Sequence, residues 1–588
     1  MRALRLFLVL LLAPAIAACR DNAASNWPSG WRYSPEQTAV TGSAGMVVTT
    51  DSIATQVGVD VLAAGGNAVD AAVAVAFALA VVNPEAGNIG GGGFMVMRTA
   101  SGETAALDFR EKAPIAATRD MFLDSAGNPT DRSLIGHPAV GVPGTVAGMY
   151  AAQRRVGTRP WVELLEPAIR LAAGFPVTPR FLESLDGSTL RELARFPASA
   201  AIFLPRGGPP GLGDTLRQPD LSATLTRIRD GGADGYYRGR TADLLVEEME
   251  RGDGLVTHAD LAAYTVAWRE PIRFEYRSHT VISMPPSSSG GVTMAEDAGI
   301  LQTFALPSEP WHSSREIHLM AEAWKRAFAD RNEYLADPDF SPGMPLDAMA
   351  SADYGRTRAA SVDDAHATPS LEVTPGLGSY RGDPASVREG TNTTHFSIVD
   401  RFGNAVAVTT TLNSWYGRKV MVTGAGFVLN NEMDDFTSKP GTPNQFGLVQ
   451  GEANAIAPGK RMLSAMSPTI VLDPGGKLFM VLGSPGGPTI ITTVFQTIAN
   501  VVDHGMSLGQ AVVAPRVHHQ HLPDRIDVEP GGLPESVVAE LRAMGHIVIE
   551  DDYSGDIQAI RVLQDGTLEG FSDPRRGGRA TAPPPTGP

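Results

Sequence analysis

The chain of 588 residues has one cysteine, Cys19. No disulfide can form within it, and no thiol beyond residue 19 remains for catalysis or a metal. There is no long run of Lys or Arg, and the net charge is −16, which argues against nucleic acid as a partner. No apolar stretch reaches the length of a membrane span. Leu6 to Ile16 and Ala68 to Val82 are both too short. No Lys-Ser/Thr follows the Gly90–Gly93 run, so it is not a phosphate loop. Ser287, Ser288 and Ser289 lack the G-x-S-x-G elbow that exposes a serine nucleophile. His518, His519 and His521 have neither standard helical spacing nor a Cys or carboxylate motif to complete a metal site, and they read as structural. No repeat recurs at a fixed period.

What is present is a globular composition. Hydrophobic residues are 43 % and charged residues 19 %, enough for a sizeable core, and 63 Gly with 44 Pro imply many turns. The first 19 residues are a targeting segment rather than fold. Arg2 and Arg5 precede the short apolar run, and Ile16-Ala17-Ala18-Cys19 resembles a bacterial lipobox, with Cys19 as the lipidated first residue. The expected place is the bacterial cell envelope, periplasmic and lipid-anchored through Cys19. The alternative is plain export with cleavage near Ala18. Residues 20–44, polar and rich in Pro and Gly, read as a tether.

The most informative stretch is Thr391 to Asn413. Phe396 and Ile398 share one face of a strand, Asp400 to Asn404 carries turn chemistry with Gly403 free to take φ > 0, and Ala405 to Thr411 returns as a strand rich in β-branched residues. If Asp400 pairs with Asn404, Thr393 faces Thr411 and His395 faces Thr409, with opposed side chains about 5 Å apart. Thr409, Thr411 and Asn413 share one face. A threonine hydroxyl is a poor nucleophile until a base takes its proton. One solution makes Thr the first residue of a chain, so that its own α-amine is that base. The hairpin by itself also fits an ordinary Thr-rich strand.

Elsewhere Ser52 to Ala64 reads as a helix ended by Gly65-Gly66. Asn67 and Asp70 form a capping box for a helix over Ala68 to Val82 that is apolar nearly all round and therefore buried between layers. Further helices are predicted near Val146–Arg155, Trp161–Ala173, Thr241–Arg251 and Ser314–Glu333. Tyr354 to Asn392, rich in Pro, Gly, Ser and charge, reads as a mobile segment that exposes the Asn392–Thr393 bond.

Separated motifs then occur in a fixed order. They are the stretch from Asp51 to Phe94, Asp108-Phe109-Arg110-Glu111, Gly141-Val142-Pro143-Gly144, PPSSSGG at Pro285, TTHFSIVD at Thr393, LNNEMDDF at Leu429, LSAMSPTIV at Leu463 and GSPGG at Gly483. Together they resemble the γ-glutamyltransferases (glutathione hydrolases), N-terminal-nucleophile enzymes that cut their own precursor. The resemblance runs from about Gly45 to about Pro574. It implies an α+β fold, a four-layer αββα sandwich, self-cleaved between Asn392 and Thr393 into a large subunit (45–392) and a small catalytic subunit (393–588), with no cofactor and no metal.

The roles it implies follow residue by residue. Thr393 is the nucleophile and Thr411 hydrogen-bonds it. Gly486 and Gly487 form the oxyanion hole. Arg110 and Ser464 hold the substrate α-carboxylate, while Glu432 and Asp435, with Asn413 beside them, hold the α-ammonium. The family commonly has two serines where this chain has Ser464 and Ala465, so one hydroxyl donor is missing and weaker glutamyl binding or altered acyl specificity is expected. Thr437 to Lys460 resembles a lid, with Phe446 where a gating Tyr often stands. Thr489 falls near an Arg of some relatives. The implied partners are glutathione and other γ-glutamyl compounds, with amino acid or peptide acceptors. Two other readings remain: a cephalosporin acylase-like amidase of the same fold, and an envelope binding protein that lost catalysis.

Overall fold

The computed structural model describes residues 27–378, 393–551 and 555–585. The targeting segment, Cys19 and Asn392 lie outside the described residues.

Two seven-stranded antiparallel sheets form the centre. One runs, in spatial order, through Arg579–Thr581, Gly45–Thr49, Thr393–Asp400, Ala405–Thr411, Gly92–Arg98, Thr104–Asp108 and Ala267–Arg269. The other runs through Val40–Gly42, Leu568–Ser572, Gln558–Val562, Leu478–Leu482, Thr469–Leu472, His279–Ser283 and Ile272–Tyr276. Strand alternation divides the core. Val47, Met95, Phe396, Ile398, Val406 and Val408 pack with the helices Ser52–Ala63 and Ala68–Val82. Their neighbours Val48, Val96, Val399, Ala405 and Ala407 pack with Val281, Ile470 and Val481 of the second sheet, in a core shared with the helices Gly290–Leu301, Ser314–Tyr334 and Thr489–Val502. Buried on both faces, each sheet requires helices outside it, which gives the αββα order.

The Thr393–Thr411 hairpin has the expected register, with Thr393 opposite Thr411 and His395 opposite Thr409. Asp400 N–H donates to Asn404 O, Asp400 Oδ1 accepts from Phe402 N and Asn404 N, and Gly403 has φ 89°. The other Asp400 oxygen takes the N–H of Ala68, the first residue of the buried helix. The Asn67–Asp70 capping box is present, and every residue of Ala68–Val82 is buried. The hairpin turn and the central helix thus lock each other in place.

Two expectations change. From Trp27 on, the stretch read as a tether belongs to the body. Trp31 is buried and donates to Val513 O, Trp27 stacks on Trp311, and Val40–Gly42 joins the second sheet. Its aromatic residues, outnumbered by polar ones, decide this by the apolar area they bury. The stretch read as mobile begins with the helix Ala352–Ala359 and is described to residue 378, with Arg358 anchored to Arg326 O and Thr374 O. No helix among the described residues is long and apolar enough to cross a membrane.

Candidate active site

The hairpin of Thr393–Asp400 and Ala405–Thr411 is held from two sides at its open end. Gly91 and Gly93 run flat against the opposing strand, where a Cβ on either would strike the Thr411 or Thr409 carbonyl. This is the close approach that the Gly90–Gly93 run permits. Asn88, in the loop before it, donates from Nδ2 to Thr411 O (2.9 Å) and Thr410 Oγ1 (3.2 Å), and its Oδ1 accepts from Gly91 N and Thr145 Oγ1. On the other side Arg576, buried, donates to Thr393 O at 3.3 Å. Neither Asn88 nor Arg576 stands out in the sequence. Their only local signal is a polar residue inside a glycine-rich turn and a second Arg in an Arg-Arg pair.

Below Thr393, His395 is buried between Thr409 Oγ1 (2.8 Å) and Ser397 Oγ (3.1 Å), with its ring against Gly483. Burial pulls its imidazole down to about 3, so it is neutral and acts as a spacer within the sheet.

Thr393 opens onto a small cavity lined also by Arg110, Arg331, Thr411, Asn413, Glu432, Asp435, Phe446, Ser464, Ala465 and Gly487. The residues singled out from five separate motifs therefore meet at one place. Asn413 takes a left-handed backbone (φ 73°), tolerated by Asn, and its N–H donates to Thr411 Oγ1 at 2.8 Å. Its side-chain amide donates to Asn431 O. Gly486 (φ 134°) and Gly487 (φ 58°) lie in the turn that enters the helix Thr489–Val502. The helix N-terminus adds positive potential at this turn. Thr489 closes this turn, donating from Oγ1 to Gly486 O at 2.7 Å.

The charged wall is crowded. Arg110 Nη1 lies 2.7 Å from Glu432 and 3.4 Å from Glu111, Nη2 pairs with Asp435, and Nε donates to Met462 O. All four ionisable groups are buried. Burial pushes Glu111 up to about 7 and Glu432 well above the carboxylate range, against the pull of Arg110, and it raises Asp435 too. Three carboxylates around one guanidinium cannot all stay ionised, so the cluster retains a proton near neutrality. Asp434, beside them, faces away. It accepts from Ser133 Oγ (2.7 Å) and from the N–H of Gln445 in the lid-like segment (3.0 Å).

That segment covers the cavity with Phe446 and Leu448. Phe446 sits against Gly487, and its carbonyl accepts from Gln520 Nε2 at 3.0 Å. Here the His-rich stretch finds its role. His518 bonds Thr492 Oγ1 and Gln520 Oε1, orienting the glutamine, and His521 donates to the carbonyls of Ser370 and Val373. His519 Nε2 faces Asp524 at 3.3 Å. The three serines are likewise engaged. Ser287 bonds Asp108, Ser288 bonds Met466 O and Ser289 bonds Ser464 O, so they carry the Ser464–Met466 wall. His318, Glu322 and His546 cluster elsewhere, but Glu322 is held by Lys325 and Arg326, and His318 is bonded to His546 and to Asp363 O.

The profile of the family described as gamma-glutamyltranspeptidase matches residues 54–582. The chain is 48 % identical over 534 residues to the glutathione hydrolase proenzyme of Escherichia coli (strain K12), covering 90 % of each. It is 46 % identical over 578 residues to the glutathione hydrolase proenzyme of Pseudomonas aeruginosa, covering 97 % of this chain and 98 % of that one. Among solved structures, cephalosporin acylase from Bacillus halodurans superposes with a TM-score of 0.80 at 26 % identity, over 95 % of this chain and 99 % of that chain.

Proposed function

The chain belongs to the gamma-glutamyltranspeptidase family, and from that premise we propose how its residues divide the chemistry. It is a glutathione hydrolase and γ-glutamyltransferase of the N-terminal-nucleophile fold, made as a proenzyme. The observation that carries the assignment of roles is Thr393 at the first position of a strand, opposite Thr411, at the head of a cavity that holds both signs of charge.

Maturation comes first. Thr393 Oγ1 attacks the Asn392 carbonyl carbon, the peptide C–N bond breaks as the amine leaves protonated, and water hydrolyses the resulting ester. The products are a new carboxylate on Asn392 and a free α-amine on Thr393, at the head of a 196-residue chain. An α-amine has a pKa near 8, so a useful fraction is neutral near pH 7 and takes the hydroxyl proton, directly or through a water.

The same hydroxyl then attacks the γ-amide of the substrate. Developing negative charge on the carbonyl oxygen is met by the N–H groups of Gly486 and Gly487 at the helix N-terminus, where one such donor is worth ~2.7–4 kcal/mol. The amine of the departing peptide carries off the proton, and a γ-glutamyl ester remains on Thr393. Water resolves it to glutamate, or an amino acid or peptide amine resolves it to a new γ-glutamyl peptide. The substrate ammonium lies toward Glu432 and Asp435, with Asn413 beside them, and its carboxylate lies toward Arg110 and Ser464. The test is a denaturing gel of purified protein with N-terminal sequencing of the smaller band. A sequence beginning at Thr393, with amine release from a γ-glutamyl anilide, is expected; active enzyme made of one unbroken chain contradicts it.

A second acyl preference is favoured by one observation. Ala465 places a methyl in the cavity wall where the family commonly has a hydroxyl, and a cephalosporin acylase shares the fold closely. Higher kcat/KM for glutaryl than for γ-glutamyl anilide would establish that reading. The lipobox-like Ile16–Cys19 supports export and lipid anchoring at Cys19 in the cell envelope. Metabolic labelling with a radioactive fatty acid, lost in Cys19→Ser, tests it.

A further inference from the structure

A buried glutamine that does not line the cavity reaches the lid-like segment above it. Gln520 Nε2 donates to Leu522 O (3.2 Å) inside its own turn and to Phe446 O (3.0 Å), 74 positions away. The first bond is one that a turn glutamine makes for local reasons. The second crosses to the residue whose ring lies against Gly487. Phe446 has no polar side-chain atom, so its backbone is what the body can hold by a hydrogen bond. Its neighbour Gln445 is tied on another side, its N–H donating to Asp434 and its Oε1 accepting from Ser414 Oγ (3.1 Å).

The orientation of the Gln520 amide is fixed from behind. Its nitrogen donates to two carbonyls, so Oε1 is the atom that faces His518 Nε2 at 2.9 Å. An oxygen accepts only, so His518 Nε2 carries the proton. Burial pulls His518 down to about 3, with the Gln520 bond acting against the fall, so the ring is neutral and Nδ1 is an acceptor. Thr492 Oγ1 lies 2.8 Å from Nδ1 and 3.1 Å from Thr489 O, and its proton serves the nearer. Thr492 belongs to the helix that the Gly486–Gly487 turn enters. One directed chain of polar groups thus joins that helix to the lid. A reversed amide would set its oxygen against two carbonyls and its nitrogen against an N–H.

We propose that Gln520 is a positioning residue that latches the lid over Thr393 through the Phe446 carbonyl, and that this latch favours amine acceptors over water in resolving the γ-glutamyl ester. Either route forms a bond to the γ-carbonyl carbon, breaks the ester C–O bond and returns a proton to Thr393 Oγ1. A closed lid keeps bulk water from a reactive intermediate. It also holds an amine that has entered beside the ester, an advantage that water, always in excess, does not share. The inference deepens the reading of the chain as a γ-glutamyltransferase and rests on it.

The experiment incubates mature two-chain wild type, Gln520→Leu, Gln520→Glu and His521→Asn with γ-glutamyl anilide and glycylglycine, and quantifies both glutamate and the γ-glutamyl peptide. Leu removes the donors. Glu keeps the shape and the acceptor for His518 but sets an oxygen against Phe446 O. His521 lies in the same turn and bonds Ser370 O and Val373 O, not the lid, and Asn tolerates its φ of 71°. In both Gln520 variants the ratio of transfer to hydrolysis should fall about 2- to 10-fold, the loss of one neutral hydrogen bond. Proteolysis within residues 437–460 should quicken, single-turnover release of the aniline should stay within about threefold of wild type, and His521→Asn should keep the wild-type ratio. An unchanged or raised ratio in the Gln520 variants, an equal fall in His521→Asn, or a loss of aniline release as large as the fall in the ratio overturns the proposal and leaves Gln520 a structural residue. Wild type that forms no transfer product overturns it too. If Gln520→Leu fails to assemble, Gln520→Glu decides by the same criterion. Wild type that releases nothing from γ-glutamyl anilide overturns the underlying reading instead.

Discussion

Thr393 and Thr411 face each other across the open end of one hairpin, Thr393 as the first residue of its strand and Thr411 as the last of the other. The pairing brings the two hydroxyl-bearing side chains together before any substrate arrives. The N–H of Asn413 already donates to Thr411 Oγ1 and orients it. Replacing Thr411 by Val keeps the shape and the β-branched preference but removes the hydroxyl. Precursor cleavage should still yield two chains, and kcat should fall roughly 10- to 100-fold, the loss of ~1.5–3 kcal/mol of charge-assisted hydrogen bonding. Gel analysis and single-turnover kinetics measure the two effects separately.

Gly487 is sensitive for two independent reasons. Its φ of 58° disfavours any side chain, and an added Cβ would lie 2.9 Å from the Phe446 ring. Gly487→Ala should shift the N–H away from the oxyanion and cut kcat by roughly 100- to 1,000-fold, the effect of losing one such donor. It should also loosen the lid, read as faster proteolysis within residues 437–460. A normal kcat would remove Gly487 from the oxyanion hole.

The acidic cluster predicts a pH dependence that separates two substrates. Carboxylates whose pKa is raised by burial are protonated below that value and anionic above it. With Glu111 at about 7 and Glu432 and Asp435 also raised, affinity for the substrate ammonium should weaken as pH falls below about 7. The Thr393 amine also protonates on acidification, which slows every substrate alike. The ratio of kcat/KM for γ-glutamyl over glutaryl anilide cancels that common effect, because glutaryl has no ammonium. The ratio should fall from pH 8 to pH 6, and a flat ratio counts against ammonium binding by this cluster.

His395 should matter for stability more than for chemistry. Its folded pKa is lowered to about 3 from 6.5, so between those values the unfolded chain binds a proton that the native chain does not. Its contribution to stability is present above pH 6.5 and is lost as pH falls below it. His395→Ala should destabilise the fold by about 3 kcal/mol, from the cavity and the hydroxyls of Thr409 and Ser397 left without their partner. It should also flatten the acid side of the unfolding midpoint against pH. Unchanged acid sensitivity in a folded variant would show that His395 is not a neutral spacer in the native state.

The sequence by itself determined what depends on neighbours a few residues away. The hairpin register follows from Asp400 and Gly403 at the turn and from the alternation of Phe396 and Ile398. The buried helix follows from the Asn67–Asp70 cap and an apolar run without a polar face. In both cases the deciding interactions are local, so the code is readable in order along the chain. The ordered motifs also marked out Arg110, Thr393, Asp435, Ser464 and Gly487 as residues of one site, which the cavity brings together.

Tertiary structure decided the state of the charges. Arg110 and Asp435 are 325 positions apart, and whether that Arg is matched depends on which distant segments fold around it. The same holds for Arg576 reaching Thr393 across 183 positions, for Asn88 holding Thr411, and for the aromatic residues that draw residues 27–44 onto the body. Desolvation is set by everything packed around a group, and no short window of sequence contains that sum.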